Sequence, residues 1–261
     1  MLKSRPGRKL ARMEALFATT SDSLYGGQLV LKQPRHGYRF GTDAMLLAAA
    51  IQPQDDQQLL ELGCGVGAAS LALAWRAQQS GVNCFVTGIE LQQELYSLAQ
   101  ENMTQSGLAV RALHGDITDK NFLHALGRFD QVFCNPPYHP EGCSSPAGNM
   151  IKTTAHVEVE DGLKDWLQAA NRFLKPKGIF TMIHRADRLS EILPLCEKFL
   201  GAIEIIPFWP KDGEPAKRII IRGKKSSKKP LTLHQGVIMH GADGNYTAVA
   251  KGLVNQGAGL L

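Results

Sequence analysis

From about residue 55 onward, the apolar positions follow two alternating periods. Short unbroken runs at Gln58–Leu62, Phe85–Glu90 and Phe129–Cys134 are bounded by Gly, Pro or Asp, the pattern of strands buried on both faces. Between them, apolar residues recur every three or four positions. Leu71, Leu73, Ala74 and Trp75 mark a helix over 68–79, and Leu91, Leu95 and Leu98 mark another up to Gly107. A third, through Leu163, Trp166, Leu167, Ala170 and Leu174, is closed by Lys175-Pro176-Lys177-Gly178. Further strands are expected at 110–113 and 179–183, a helical face at Leu189, Ile192, Leu193 and Cys196, and a closing strand pair at 202–208 and 218–221. Strands separated by helices imply parallel βαβ units covered on both faces. The expected fold is α/β, a doubly wound sheet of seven strands, mostly parallel, with an antiparallel strand near the C-terminal end. Residues 1–54 form an N-terminal extension with a strand pair and a helix over 44–51. Residues 55–230 form the main domain, and 231–261 a loose tail with one strand at 237–240.

Composition narrows the class. A chain of 261 residues that is 44% hydrophobic and 20% charged suits a soluble globular protein, not a disordered or collagen-like one. No apolar run reaches the ~20 residues of a membrane span, and no apolar stretch follows the basic start to make a secretory signal. Five cysteines, an odd number with no CxxC pair, suit reduced thiols in a cytoplasm. No HExxH or zinc spacing is present, so no metal is expected. Nothing in the sequence sets an oligomeric state.

The basic residues are unevenly placed. Lys3, Arg5, Arg8, Lys9 and Arg12 face only Glu14 within the first twenty residues. Lys211, Lys217, Arg218, Arg222, Lys224, Lys225, Lys228 and Lys229 face only Asp212 and Glu214 within 211–230. Two basic segments on an otherwise acidic body fit either solvated surface or a polyanion such as RNA.

The first chemical signal is Gly63, Gly65 and Gly67 at the end of the first strand of the main domain. Glycines there allow backbone torsions and close approach that a Cβ forbids, beside the N-terminus of the next helix. The same residues satisfy the dinucleotide pattern, with Glu90 at ribose distance, so the glycines alone do not choose the ligand. Glu61 tips the choice toward S-adenosylmethionine. An extra carboxylate is repelled by a pyrophosphate and attracted by an ammonium and a sulfonium. Glu90 can take the ribose hydroxyls, and Asp116, at the next strand end, can accept from the exocyclic amine of the cofactor adenine.

The second signal is Asn135-Pro136-Pro137-Tyr138, which follows the fourth strand without a gap. Two prolines lack N–H groups and fix φ, so this segment leaves the sheet as a stiff corner. The Asn135 side-chain oxygen and the Pro136 carbonyl can both accept from one –NH₂ group conjugated to a ring or carbonyl. Two acceptors favour a tetrahedral nitrogen whose lone pair points at the methyl, so catalysis is positioning plus electrostatics. Tyr138 can stack on a planar substrate. The Gly-, Ser- and Pro-rich stretch 140–152 that follows reads as a substrate loop.

At these residues the chain resembles class I S-adenosylmethionine-dependent amino-methyltransferases, and more closely the bacterial tRNA1(Val) adenine N6-methyltransferase family. The likeness includes Arg35-His-Gly-Tyr-Arg-Phe-Gly-Thr-Asp-Ala-Met-Leu-Leu-Ala48 and extends over roughly residues 24–222. It implies a Rossmann-like fold and methyl transfer to N6 of a flipped adenine beside the anticodon of a tRNA. It also implies that Gly41, Thr42 and Asp43 line the methionine end of the cofactor. Three other readings stay open. Release-factor glutamine N5-methyltransferases use the same motif on a planar amide, but usually carry a helical N-terminal domain for which 1–54 is short and strand-like. The guanine N2 rRNA methyltransferases more often end the motif in Phe. A non-catalytic RNA-binding subunit would keep the basic flanks without binding the cofactor.

Overall fold

The computed structural model describes residues 18–138 and 162–260. The basic start at 1–12 and the 140–152 loop lie outside these residues. A hairpin, β1 (Thr19–Leu24) and β2 (Leu29–Pro34), leads to helix α1 (Thr42–Ala50). The alternation then runs β3 (Gln58–Leu62), α2 (Ala68–Gln79), β4 (Phe85–Glu90), α3 (Gln93–Ser106), β5 (Val110–His114), α4 (Lys120–Leu126) and β6 (Phe129–Cys134). After the undescribed stretch come α5 (Gly162–Phe173), β7 (Leu174–Arg185), α6 (Leu189–Cys196), β8 (Leu200–Trp209) and β9 (Arg218–Lys225).

The strand order is β8-β9-β7-β6-β3-β4-β5, seven long strands as the alternation implies. Strands β3 to β7 pair in parallel, and β9 is antiparallel to both β7 and β8. The chain winds outward from β3 through β4 to β5, then returns to start β6 on the other side of β3. The crevice outside the carboxyl ends of β3 and β6 is therefore the switch point where open α/β sheets bind ligands.

Alternation along the strands separates two cores. Leu60 and Leu62 of β3, Val132 and Cys134 of β6, and Ile219 and Ile221 of β9 pack with Trp166, Leu167 and Phe173 of α5. Leu59, Phe133 and Ile220 face the opposite way, into α1 and α2. Glu61 shares that second face, which carries it to α2.

The tail departs from the expectation of a loose segment. It adds two short strands, β10 (Thr232–Leu233) and β11 (Val237–Ile238), both parallel to β8, and a helix, α7 (Ala248–Asn255). Val237, Met239, Ala250 and Leu253 join the same core as Tyr25, Leu31 and the alanines of α1. Lys175–Gly178 also differs from a plain helix stop. Leu174 already pairs with Phe129, and the chain bulges through Lys177, at φ 64°, before Ile179 pairs with Gln131. No helix among the described residues is long and apolar enough to cross a membrane.

Candidate active site

The glycine turn has the backbone that its composition implies. Gly63, Gly65 and Gly67 have φ of 63°, 57° and 87°, left-handed values that disfavour any residue with a Cβ. Space forbids one as well. A Cβ on Gly63 would lie 2.3 Å from the Trp166 ring, and one on Gly65 would lie 2.4 Å from the Tyr38 hydroxyl oxygen. Cys64 is buried, and burial first, then Glu61 and Glu90, raise its thiol far above the usual range, so it is no nucleophile. It packs where Gly88 leaves room, since a Cβ there would sit 2.7 Å from the Cys64 sulfur.

Two carboxylates flank the turn. Glu61 accepts from the Ser70 backbone N–H at 3.0 Å and the Ser70 hydroxyl at 2.5 Å, tying the end of β3 to the first turn of α2. Burial pushes its carboxyl up to about 8, with the Ser70 bonds opposing. Glu90 accepts from the Gly65 N–H and the Gln92 N–H, each at 2.8 Å, and burial raises it too. No Lys or Arg pairs with either acid among the described residues. Two buried acids without a cation are costly unless a ligand supplies the positive charge. That fits a molecule with an ammonium and a sulfonium, and the left-handed cradle fits its close approach.

Asp116 stands at the end of β5, where it accepts from the backbone N–H and hydroxyl of Thr118, both at 2.7 Å. It is partly exposed on the same rim as Glu61 and Glu90. Leu91, directly after Glu90, exposes 57% of its surface there and offers an apolar cover for a flat ring.

The register Leu62↔Cys134 places Asn135 beside Gly63, so the two-proline corner and the glycine turn share one crevice. The Tyr138 hydroxyl lies 2.5 Å from Asn135 Oδ1 and 2.9 Å from Asp43 Oδ2, with both acceptors competing for its single proton. Arg218, first residue of β9, donates from Nε to the same Asp43 oxygen at 2.9 Å. Its guanidinium carbon also lies 4.7 Å from the centre of the Tyr138 ring, a cation–π contact. His184 meets that ring edge-on, with centroids 5.0 Å apart. Burial and the neighbouring Arg188 push the His184 imidazole down to about 4, so it is neutral, and its Nδ1 has no partner among the described residues.

The Gly41–Asp43 element divides. Gly41 is the N-cap of α1 and contributes backbone alone. Asp43 reaches the two-proline corner. Thr42 turns to the tail instead, its hydroxyl 3.4 Å from that of Tyr246, and it lines a hollow with Tyr25, Met45 and Val254. That differs from the place beside the cofactor implied for it. Tyr38, Ser70, His184 and Arg218 are the residues that sequence reasoning passed over. Tyr38 lies inside the 35–48 run and Arg218 inside a basic segment, whereas His184 carries no sequence signal.

The basic segment 211–230 is split by the strand it contains. Lys211 and Lys217 are exposed at the carboxyl rim, while Lys224 is exposed at the far end of β9 and Lys228 and Lys229 just past it. Most of the length of β9, roughly 20 Å, separates the two groups. Arg218, Arg222 and Lys225 have internal partners in Asp43, Glu204 and the Leu174 carbonyl. Trp209 donates to the Gln235 carbonyl and lines a groove of about 780 Å³ with Lys211, Pro215, Ile238 and Val249, which no predicted site residue touches.

A family model described as a methyltransferase domain matches residues 53–203, from just before β3 into β8. The tRNA1(Val) (adenine(37)-N6)-methyltransferase of Actinobacillus pleuropneumoniae is 27% identical over 90% of this chain and 96% of its own length. The protein of the same name from Pasteurella multocida is 31% identical over 60% of this chain and 64% of its own. A solved structure, a predicted O-methyltransferase from Agrobacterium tumefaciens, superposes with a TM-score of 0.66 at 27% identity, covering 83% of this chain and 97% of that one. With the matched stretch spanning both the glycine turn and the two-proline corner, the chain belongs to this methyltransferase family.

Proposed function

We propose that the protein transfers a methyl group from S-adenosylmethionine to the exocyclic N6 amine of an adenine in tRNA, at the position beside the anticodon, in the cytoplasm. The observation that carries this reading is the adjacency of Gly63 and Asn135, set by the β3–β6 register. It brings a cradle for a cationic cofactor against a rigid pair of acceptors. Relatives named for adenine N6 methylation of tRNA, alike over almost their whole length, support the choice of substrate.

Glu61, Glu90 and the glycine backbone hold the cofactor, with Asp116 and Leu91 at its adenine end. When bound, that cofactor supplies an electrophilic methyl on sulfur. Asn135 Oδ1 and the Pro136 carbonyl accept the two amine hydrogens, turning the nitrogen lone pair out of conjugation and toward the methyl. No side chain is required as a nucleophile, and the buried thiols of Cys64 and Cys134 stay protonated. Tyr138 bounds the site of the target ring, with Arg218 and His184 holding it.

The test is transfer of labelled methyl onto total RNA, followed by nucleoside analysis. N6-methyladenosine in the tRNA fraction is expected, and Asn135→Ala should remove it with cofactor affinity held within about threefold. Label only in protein would favour a glutamine amide, and label in guanosine or ribose a different acceptor. No cofactor binding at all would indicate a silent RNA-binding subunit.

A further inference from the structure

The Tyr138 hydroxyl donates to the oxygen that the target amine needs. Asn135 Oδ1 is 2.5 Å from it, so with no substrate present one of that oxygen's two lone pairs is already engaged, and an amine that uses it must compete with the hydroxyl. The hydroxyl has one proton and two acceptors, and the second, Asp43 Oδ2 at 2.9 Å, comes from a different part of the chain. An amine arriving with two N–H groups displaces the hydroxyl from Asn135 only if its proton has another acceptor. A buried hydroxyl left without one costs the free energy of an unmade hydrogen bond.

We infer that Asp43 is a positioning residue: it takes over the Tyr138 hydroxyl when the amine binds, with Arg218 fixing both partners. This rests on the amine-transfer reading above. Arg218 suits the role because it touches both groups, through its Nε bond to Asp43 Oδ2 and its stacking on the Tyr138 ring. Its bond to Asp43 Oδ2 holds that accepting oxygen within reach of the Tyr138 hydroxyl. Asp43 accordingly acts through Tyr138 and Asn135, which differs from a direct contact with the methionine end of the cofactor. The exchange moves hydrogen bonds only, and no covalent bond forms or breaks.

The experiment is a double-mutant cycle between Asp43 and Tyr138, reading kcat at saturating tRNA and cofactor together with both dissociation constants. Asp43→Ala should lower kcat about tenfold or more and leave both dissociation constants within threefold. Asp43→Asn, which retains an accepting oxygen, should recover most of that loss. In a Tyr138→Phe background no hydroxyl needs a second acceptor, so Asp43→Ala should change kcat by less than twofold. Arg218→Ala should lower kcat three- to tenfold without weakening tRNA binding, and it serves if Asp43→Ala fails a thermal-melt check of folding. An undiminished effect of Asp43→Ala in the Tyr138→Phe background overturns the inference. So does a loss that falls on cofactor affinity, which would make Asp43 a cofactor ligand. Wild-type turnover is the control, and its absence would instead refute the adenine reading.

Discussion

The two rims of the sheet are built from similar residues and treat charge in opposite ways. At the amino rim, Lys175 Nζ lies 2.9 Å from both oxygens of Asp130, and Lys225 caps the end of α5 by donating to the carbonyls of Asn171 and Leu174. Every one of these charges meets a partner of opposite sign or a helix end of suitable polarity. At the carboxyl rim, Glu61 and Glu90 are deeply buried without a cation among the described residues, and Tyr138 has one proton for two acceptors. The first arrangement is complete without a ligand. The second becomes complete only when something positively charged and something that donates hydrogen bonds arrive. An imbalance of buried polar groups marks this end more clearly than the 780 Å³ groove by Trp209, which touches no residue of the site.

Glycine substitution should separate the rims most strongly. Gly63 and Gly81 both hold left-handed backbone, at φ 63° and 71°, but a Cβ on Gly81 meets open space whereas one on Gly63 meets Trp166. Gly81→Ala should cost about 1 kcal/mol, the strain of the torsion alone. Gly63→Ala should cost several times more, through overpacking added to strain, and should abolish cofactor binding. Equal shifts in chemical denaturation midpoints would show that Trp166 yields freely.

A smaller effect should come from the buried carboxyl of Glu61, which has no cation beside it among the described residues. In the unfolded chain this carboxyl loses its proton near its ordinary value of 4.5, and in the fold it keeps it to about pH 8. Folding therefore takes up a proton between those values, and the contribution of this group to stability falls as pH rises through that window. At about 1.4 kcal/mol per unit, the loss reaches a few kcal/mol by pH 8. Glu61→Gln stays neutral and can still accept from Ser70. Its melting temperature without cofactor should thus gain on wild type steadily from pH 5 to pH 8.5. A difference that does not change with pH would place the Glu61 ionisation at its ordinary value.

The smallest effect separates the lysines. Replacing Lys211 and Lys217 with Ala should weaken tRNA binding a few-fold and lower its log–log salt slope by about 1 to 2. Replacing Lys224, Lys228 and Lys229, on the far rim, should leave both quantities nearly unchanged. A larger loss from the far group would mean that tRNA wraps the sheet edge.

The sheet and the cradle were legible because their signals are local. The strand run ending in Leu62, the three glycines and the Pro-Pro corner lie within a few residues of the groups they position. The partners of Tyr138 were not legible, because Asp43 and Arg218 stand 95 and 80 residues away and meet it only through strand register. Arg218 therefore reads as one charge in a basic run, although the fold brings it to the two-proline corner. The tail helix escaped notice for another reason. Ala248–Asn255 is short and carries Gly252, a poor helix former, and packing against α1 rather than intrinsic propensity makes it helical.

One fastening has a practical meaning for anyone handling the protein. The Leu260 N–H donates to the Ala49 carbonyl of α1, and Arg76 of α2 donates to the Gly257 carbonyl, so the final described residues are stitched onto two helices, one of which carries Asp43 in its first turn. Trimming by a protease, or an affinity tag spliced in at that point, would release the last turn of α1 and loosen the helix that carries Asp43.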